Sequence, residues 1–146
     1  MNPEFNELLS ALCAAEVRFL VVGAYALALH GHPRSTGDLD IWVEPTLQNA
    51  TRVMQALRRF GAPLGQVQEA DFARPGLVYQ IGVRPLRIDV LTELTGLGFE
   101  EAWQDRMIHH LGPVQAPFLG KGSFIKNKRA TGRPQDLVDA DRLEKG

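Results

Sequence analysis

The run from Phe19 to Glu44, FLVVGAYALALHGHPRSTGDLDIWVE, constrains this chain more than any other stretch. Val17 to Val22 is a short apolar, β-branched segment ending at Gly23, which predicts a buried strand. Ala24 to His30 is rich in alanine and leucine and stops at Gly31 with Pro33 beyond, the pattern of a short helix. A polar loop follows, then a second apolar strand, Asp38 to Glu44, closed by Pro45. Residues two apart in a strand share a face, about 6.5–7 Å apart at the backbone. Asp38 and Asp40 therefore stand side by side where the loop enters the strand. Paired anionic oxygens suit Mg²⁺, a hard cation that takes carboxylates, water and phosphates as ligands. The Gly23 turn offers backbone N–H groups to such phosphates. The segment predicts a phosphate-handling metal site.

The rest of the chain alternates helical and extended patterns. Asn2-Pro3-Glu4 is a helix start, and Phe5, Leu8, Leu9 and Leu12 follow on one face. Thr46 to Phe60 is an amphipathic helix ended by Gly61. The stretch from 62 to 76 is irregular, with a turn of helix near Ala70. Leu77 to Val83 and Leu86 to Leu91 read as strands of a hairpin across Arg84-Pro85. Phe99 to Leu111 is expected to be helical, and Val114 to Leu119 an edge strand because of Pro117. Ser123 to Lys145 reads as two helices broken at Gly132-Arg133-Pro134. The order predicts an α/β or α+β fold, a mixed sheet flanked by helices, as a single domain over residues 1–146.

Composition narrows the partners. With 45% hydrophobic and 23% charged residues the chain has the make-up of an ordinary globular domain. A net charge of −1 gives no global electrostatic case for nucleic-acid binding. The one cysteine, Cys13, has no partner for an internal disulfide and is expected to be a small buried hydrophobe. No signal-peptide pattern and no membrane-length apolar run is visible, so the expected compartment is the cytoplasm, away from the membrane.

Asp89 lies in Arg87-Ile88-Asp89-Val90-Leu91, an alternating core strand in which a charged residue needs a partner or a ligand. If this strand neighbours the one bearing Asp38 and Asp40, three carboxylates meet and repel unless cations lie between them. Two Mg²⁺ ions would then serve an in-line phosphoryl or nucleotidyl transfer. Here the chain resembles the nucleotidyltransferase superfamily related to polymerase β. The likeness is nearest to the minimal bacterial group that includes abortive-infection and toxin–antitoxin nucleotidyltransferases. It rests on Val21-Val22-Gly23-Ala24-Tyr25-Ala26 with His30-Gly31, on Arg34-Ser35-Thr36-Gly37-Asp38-Leu39-Asp40, and on the basic run from Lys126 to Leu137. The resemblance runs over most of the chain in motif order, and residues 61–76 contribute nothing to it.

That resemblance implies roles residue by residue. Asp38, Asp40 and Asp89 are expected as metal ligands and catalytic carboxylates, with Asp89 activating the acceptor. The cofactor is Mg²⁺, two ions, with Mn²⁺ as a substitute. Gly23 and Ala24 are expected at the nucleotide phosphates; relatives often carry serine or a second glycine where this chain has Ala24, which keeps the N–H and lacks a hydroxyl. Arg34 and Thr36 are candidates for triphosphate contacts. Between Lys121 and Arg133 there are five basic residues and no acidic ones. Lys126, Lys128 and Arg133 are the expected phosphate or polyanion contacts there. The implied function moves an NMP from an NTP, ATP among them, to a hydroxyl of a tRNA, a protein or a small molecule. A toxin–antitoxin or defence setting with a cognate partner protein goes with it.

Plainer readings stand beside these. A DxD pair also caps turns and opens strands. Arg34 can instead pair with Asp38 or Asp40, His30 reads as a helix-end residue, and Trp42 and Trp103 as packing. Lys126, Lys128 and Arg129 fit the solvated face of a helix, and Asp136, Asp139 and Asp141 an exposed one, with Asp136 able to pair with Arg133. Two rival functions follow: a non-catalytic nucleotide-binding module acting through a partner protein, and a metal-dependent phosphodiesterase or nuclease. The latter lacks an obvious base for water.

Overall fold

The structure is a computed structural model, and it describes residues 2–31, 37–83 and 86–146. Among them, six strands form one mixed sheet in the order β3 (Val78–Val83), β4 (Leu86–Leu91), β2 (Asp38–Val43), β1 (Phe19–Val22), β6 (Val114–Phe118) and β5 (Met107–Leu111). Helix α1 (Pro3–Ala14) starts where the Asn2 side chain accepts the Glu4 N–H at 2.8 Å, with Pro3 in the first turn. It buries Phe5, Leu8, Leu9 and Leu12, the stripe expected from their spacing. Strand β1 (Phe19–Val22) is wholly buried and runs straight into α2 (Gly23–Leu29). Strand β2 (Asp38–Val43) lies antiparallel to β1, with Val22 opposite Asp40. Helix α3 (Leu47–Phe60) is capped by Thr46 at one end and by Gly61, at φ 91°, at the other.

A single 3₁₀ turn, Glu69–Ala73, buries Phe72 and precedes the hairpin of β3 (Val78–Val83) and β4 (Leu86–Leu91). Strand β4 is parallel to β2, the chain between them passing through α3, the 3₁₀ turn and β3. Helices α5 (Lys121–Thr131) and α6 (Pro134–Lys145) are separated by Gly132 at φ 68° and restarted at Pro134, the predicted break. The core gathers Trp42, Phe5, Phe19, Phe72, Phe118 and Phe124, all fully buried. No helix among the described residues is long and apolar enough to cross a membrane.

Three expectations are corrected. The segment Phe99 to Leu111 is not one helix: α4 covers only Phe99–Gln104, and Met107–Leu111 is strand β5. Asp105 ends the helix by turning its carboxylate onto the backbone N–H and hydroxyl of Ser123, at 3.0 and 2.9 Å. The freed residues pair antiparallel with β6 (Val114–Phe118). Strand β6 is therefore interior, with β5 on one side and β1 on the other. Pro117 is tolerated because β6 joins β1 beside it, at Val21 opposite Phe118 and through Leu119 N–H to Val21 O at 3.0 Å. Cys13 is exposed, since it falls at the margin of the α1 stripe, where its Sγ faces the Gln115 carbonyl at 3.7 Å.

One buried amide fastens α3 to the β1–β2 pair at the end away from Asp38 and Asp40. Asn49 of α3 accepts the Arg18 N–H at 2.8 Å and donates to the carbonyls of Arg18 and Glu44 at 3.0 Å each. Replacing it strands the Arg18 N–H and the Glu44 carbonyl at the open end of the β1–β2 pair, while the Arg18 carbonyl keeps the Glu44 N–H at 3.1 Å. Asn49→Leu is expected to lower stability by about 2–4 kcal/mol in urea unfolding, given about 1–3 kcal/mol for each buried polar group left unpaired. A loss under about 0.5 kcal/mol would show that water replaces the amide.

Candidate active site

The parallel pairing of β2 with β4 aligns Asp38 with Arg87 and Asp40 with Asp89. Strand alternation puts Asp38 and Asp40 on one face, and Arg87 and Asp89 on the matching face of the neighbouring strand. The opposite side of β2 is apolar, with Leu39, Ile41 and Val43 all buried. Asp89 is itself buried. The three aspartates named from the sequence are thus brought to one edge of the core.

Gly23 closes this cluster from the β1 side. Its φ is +69°, and a Cβ built on it would lie 2.1 Å from Oδ2 of Asp40. The glycine is required twice over, for its backbone conformation and for the room that Asp40 occupies. Ala24 follows in the first turn of α2.

Crowding sets the electrostatics. Burial first, then the Asp89 and Asp38 carboxylates, push Asp40 up to about 6, against the opposing pull of Arg87. A hydrogen bond to Asp89 supports the protonated form. Arg87 answers the remaining charge. Its Nη2 lies 3.4 Å from Asp38 and 3.2 Å from Asp89, and its Nε 2.9 Å from Asp89 Oδ1. That Oδ1 is out of line with the Nε–H and is buried without a hydrogen bond among the described residues. Arg87 was legible in the sequence as the same-face neighbour of Asp89, two positions back.

Among the described residues, no three His, Cys, Asp or Glu side chains stand ready-arranged around one cation. The donor set still fits a hard divalent cation. It consists of carboxylates alone, Asp89 Oδ1 lacks a hydrogen bond among the described residues, and the Arg87 guanidinium is within ion-pair distance of Asp38 and Asp89. Asp38, Asp40 and Asp89 are the residues that would hold it.

Beside the cluster lies a cavity of about 190 Å³, lined by Gly23 and Asp40 from the side of the sheet and by Lys128, Arg133 and Asp136 from the α5–α6 corner. Leu91, Leu94, Leu119 and Phe124 form its apolar wall. Helix periodicity selects the α5 residues: Phe124, Asn127, Lys128 and Thr131 share the lining face. Lys126, expected as a phosphate or polyanion contact, is not among the residues lining this cavity and pairs with Glu101 at 2.8 Å. Asp136 and Asp139 are buried rather than exposed, as the sequence had suggested, because α6 packs that side against α5. Asp136 accepts from Lys128 at 3.1 Å, Thr131 at 2.6 Å and Arg133 Nε at 3.0 Å. Burial alone would raise its pKa, but the hydrogen bonds from Thr131 and Lys128 and the nearby cations outweigh it and lower the pKa. His30 is a helix-end residue whose Nε2 meets the Leu119 carbonyl at 2.9 Å. Arg34 and Thr36 lie outside the described residues.

The raised Asp40 carboxyl has a signed consequence. Its folded pKa, about 6, exceeds the ordinary 3.8, so the folded protein keeps a proton that the unfolded chain releases. This contribution is full at low pH and is lost as pH climbs through that interval, amounting to at most about 3 kcal/mol. Asp40→Asn is expected to stabilise the cation-free protein at pH 7.5 and to gain progressively less below pH 6. Urea unfolding of both proteins between pH 4 and 8 measures this; a pH-independent difference would contradict it. Gly23→Ala is expected to cost about 1–3 kcal/mol in the same assay, from strain and from displacing Asp40.

No family model matches the chain, and no curated protein matches it in sequence. Among solved structures, the crystal structure of a candidate nucleotidyltransferase from Thermotoga maritima superposes with a TM-score of 0.62 at 14% identity. The match covers 97% of this chain and 88% of that one. The likeness is one of fold: six strands in a mixed sheet, flanked by helices, form a nucleotidyltransferase-like fold.

Proposed function

We propose that this protein is a Mg²⁺-dependent nucleotidyltransferase that transfers an NMP from an NTP to a hydroxyl acceptor and releases pyrophosphate. The observation that carries this reading is the alignment of Asp40 with Asp89 on parallel strands, beside Asp38 and under Gly23. The backbone N–H groups of Gly23 and Ala24 bind phosphate oxygens from the sheet side of the cavity. Lys128 and Arg133 bind them from the α5–α6 corner, held in place by Asp136. Leu91, Leu94, Leu119 and Phe124 give the space between an apolar side. Asp89 takes the proton of the acceptor hydroxyl as its oxygen bonds to the α-phosphorus and the bond to pyrophosphate breaks. Mg²⁺ held by Asp38, Asp40 and Asp89 would supply charge neutralisation for the carboxylates and the phosphates.

The acceptor is a tRNA end, a protein side chain or a small molecule. The motif resemblance alone supports a toxin–antitoxin or defence setting with a cognate partner protein. Incubation with labelled NTPs, Mg²⁺ and cell lysate tests the reading. Asp38→Ala and Asp40→Ala are expected to reduce label transfer by about 10²–10³-fold, the scale of losing one transition-state charge support. Lys128→Ala is expected to raise the KM for NTP roughly ten-fold, as loss of one charge-assisted hydrogen bond implies. Lys126→Ala leaves it within about two-fold, because that side chain is engaged by Glu101. Transfer that survives in Asp40→Ala ends the metal-transfer reading. Tight NTP–Mg²⁺ binding without pyrophosphate release identifies the binding module instead.

A further inference from the structure

Arg87 occupies a position that the proposed function leaves unexplained. Its guanidinium is within ion-pair distance of Asp38 and of Asp89, two of the three carboxylates that would hold the divalent cations. It reaches them from the register position directly abreast of Asp38. The side chain is mostly enclosed, at 19% exposure, so its alignment is imposed by the sheet. Its fit is incomplete. Nε and Asp89 Oδ1 are 2.9 Å apart, yet neither is satisfied by a hydrogen bond among the described residues. The arrangement holds carboxylates together without fully satisfying them, as a counter-ion that can be exchanged would.

We propose that Arg87 is a displaceable internal counter-ion: it holds Asp38 and Asp89 in register in the cation-free protein and competes with divalent cation for the same oxygens. This rests on the metal-site reading above. Removing the competing charge has opposite effects on the two states. The cation-free protein loses a neutralising group among buried carboxylates and becomes less stable. The cation-bound protein loses a repulsive neighbour and binds more tightly. A guanidinium whose role is only to fasten the fold would give the first effect without the second. A guanidinium that helps to hold the cation-loaded site would weaken cation binding when removed.

Mn²⁺ titration by calorimetry, without nucleotide, together with thermal unfolding at pH 7.5, distinguishes these outcomes. Two variants are used, Arg87→Met and Arg87→Gln, the second keeping hydrogen-bond donors in case the first fails to fold. The expected result is a Mn²⁺ Kd about ten-fold lower than in the unaltered protein, the direction required by loss of a like charge within about 4 Å. It is accompanied by a lower melting temperature without cation, recovered at saturating Mn²⁺. An unchanged or higher Kd in a variant that folds, while the unaltered protein binds Mn²⁺, overturns the proposal. Absence of Mn²⁺ binding in the unaltered protein and in both variants overturns the metal-site reading itself.

Discussion

Three acidic side chains crowd together where two parallel strands lie abreast, and the surrounding structure is organised around that repulsion. Asp40 presses against Gly23 at a distance that leaves no room for a side chain. Asp89 is buried beside it, and Asp38 shares the guanidinium of Arg87. In the absence of other cations the molecule relieves the strain in two ways, by favouring a proton on Asp40 and by ion pairing through Arg87. Both are reversible, and both respond to the charge that a divalent ion would bring. Perturbed carboxylates of this kind cluster at functional sites.

The far wall of the cavity solves the opposite problem. Lys128 and Arg133 carry positive charge to the cavity lining, and Asp136 keeps both in place while Phe124 underlies the Lys128 ammonium at 5.1 Å. The α5–α6 corner thereby becomes a preorganised cationic surface facing an anionic one. Between them lies a gap with apolar sides, the setting in which charge on a bound phosphate chain would be felt most strongly.

Much of this was legible before any fold was known, because strand alternation and glycine turns are local physics. The DxD pair, the strand bearing Asp89 and the break at Gly132-Pro134 all follow from near-neighbour spacing. The misreadings came where a choice depends on distant partners. Residues 107–111 pair as a strand because β6 is available beside them, and nothing in their own pattern separates that from a helix. Lys126 and Lys128 are equivalent in composition and differ only in helical phase, which matters once α5 is docked. Asp136 and Asp139 looked solvated until α6 was packed against α5.

The amino-acid order by itself determined that two carboxylates share a face two residues apart, that a third lies in an apolar strand, and that a glycine precedes them. Those are consequences of covalent geometry and backbone sterics, which act over a few residues. Only the folded sheet decided that Asp89 stands beside Asp40 and that Arg87 reaches in as the counter-ion of Asp38 and Asp89. Strand neighbours are chosen by the burial of whole apolar faces and by the crossover through α3, and a short stretch of chain carries neither.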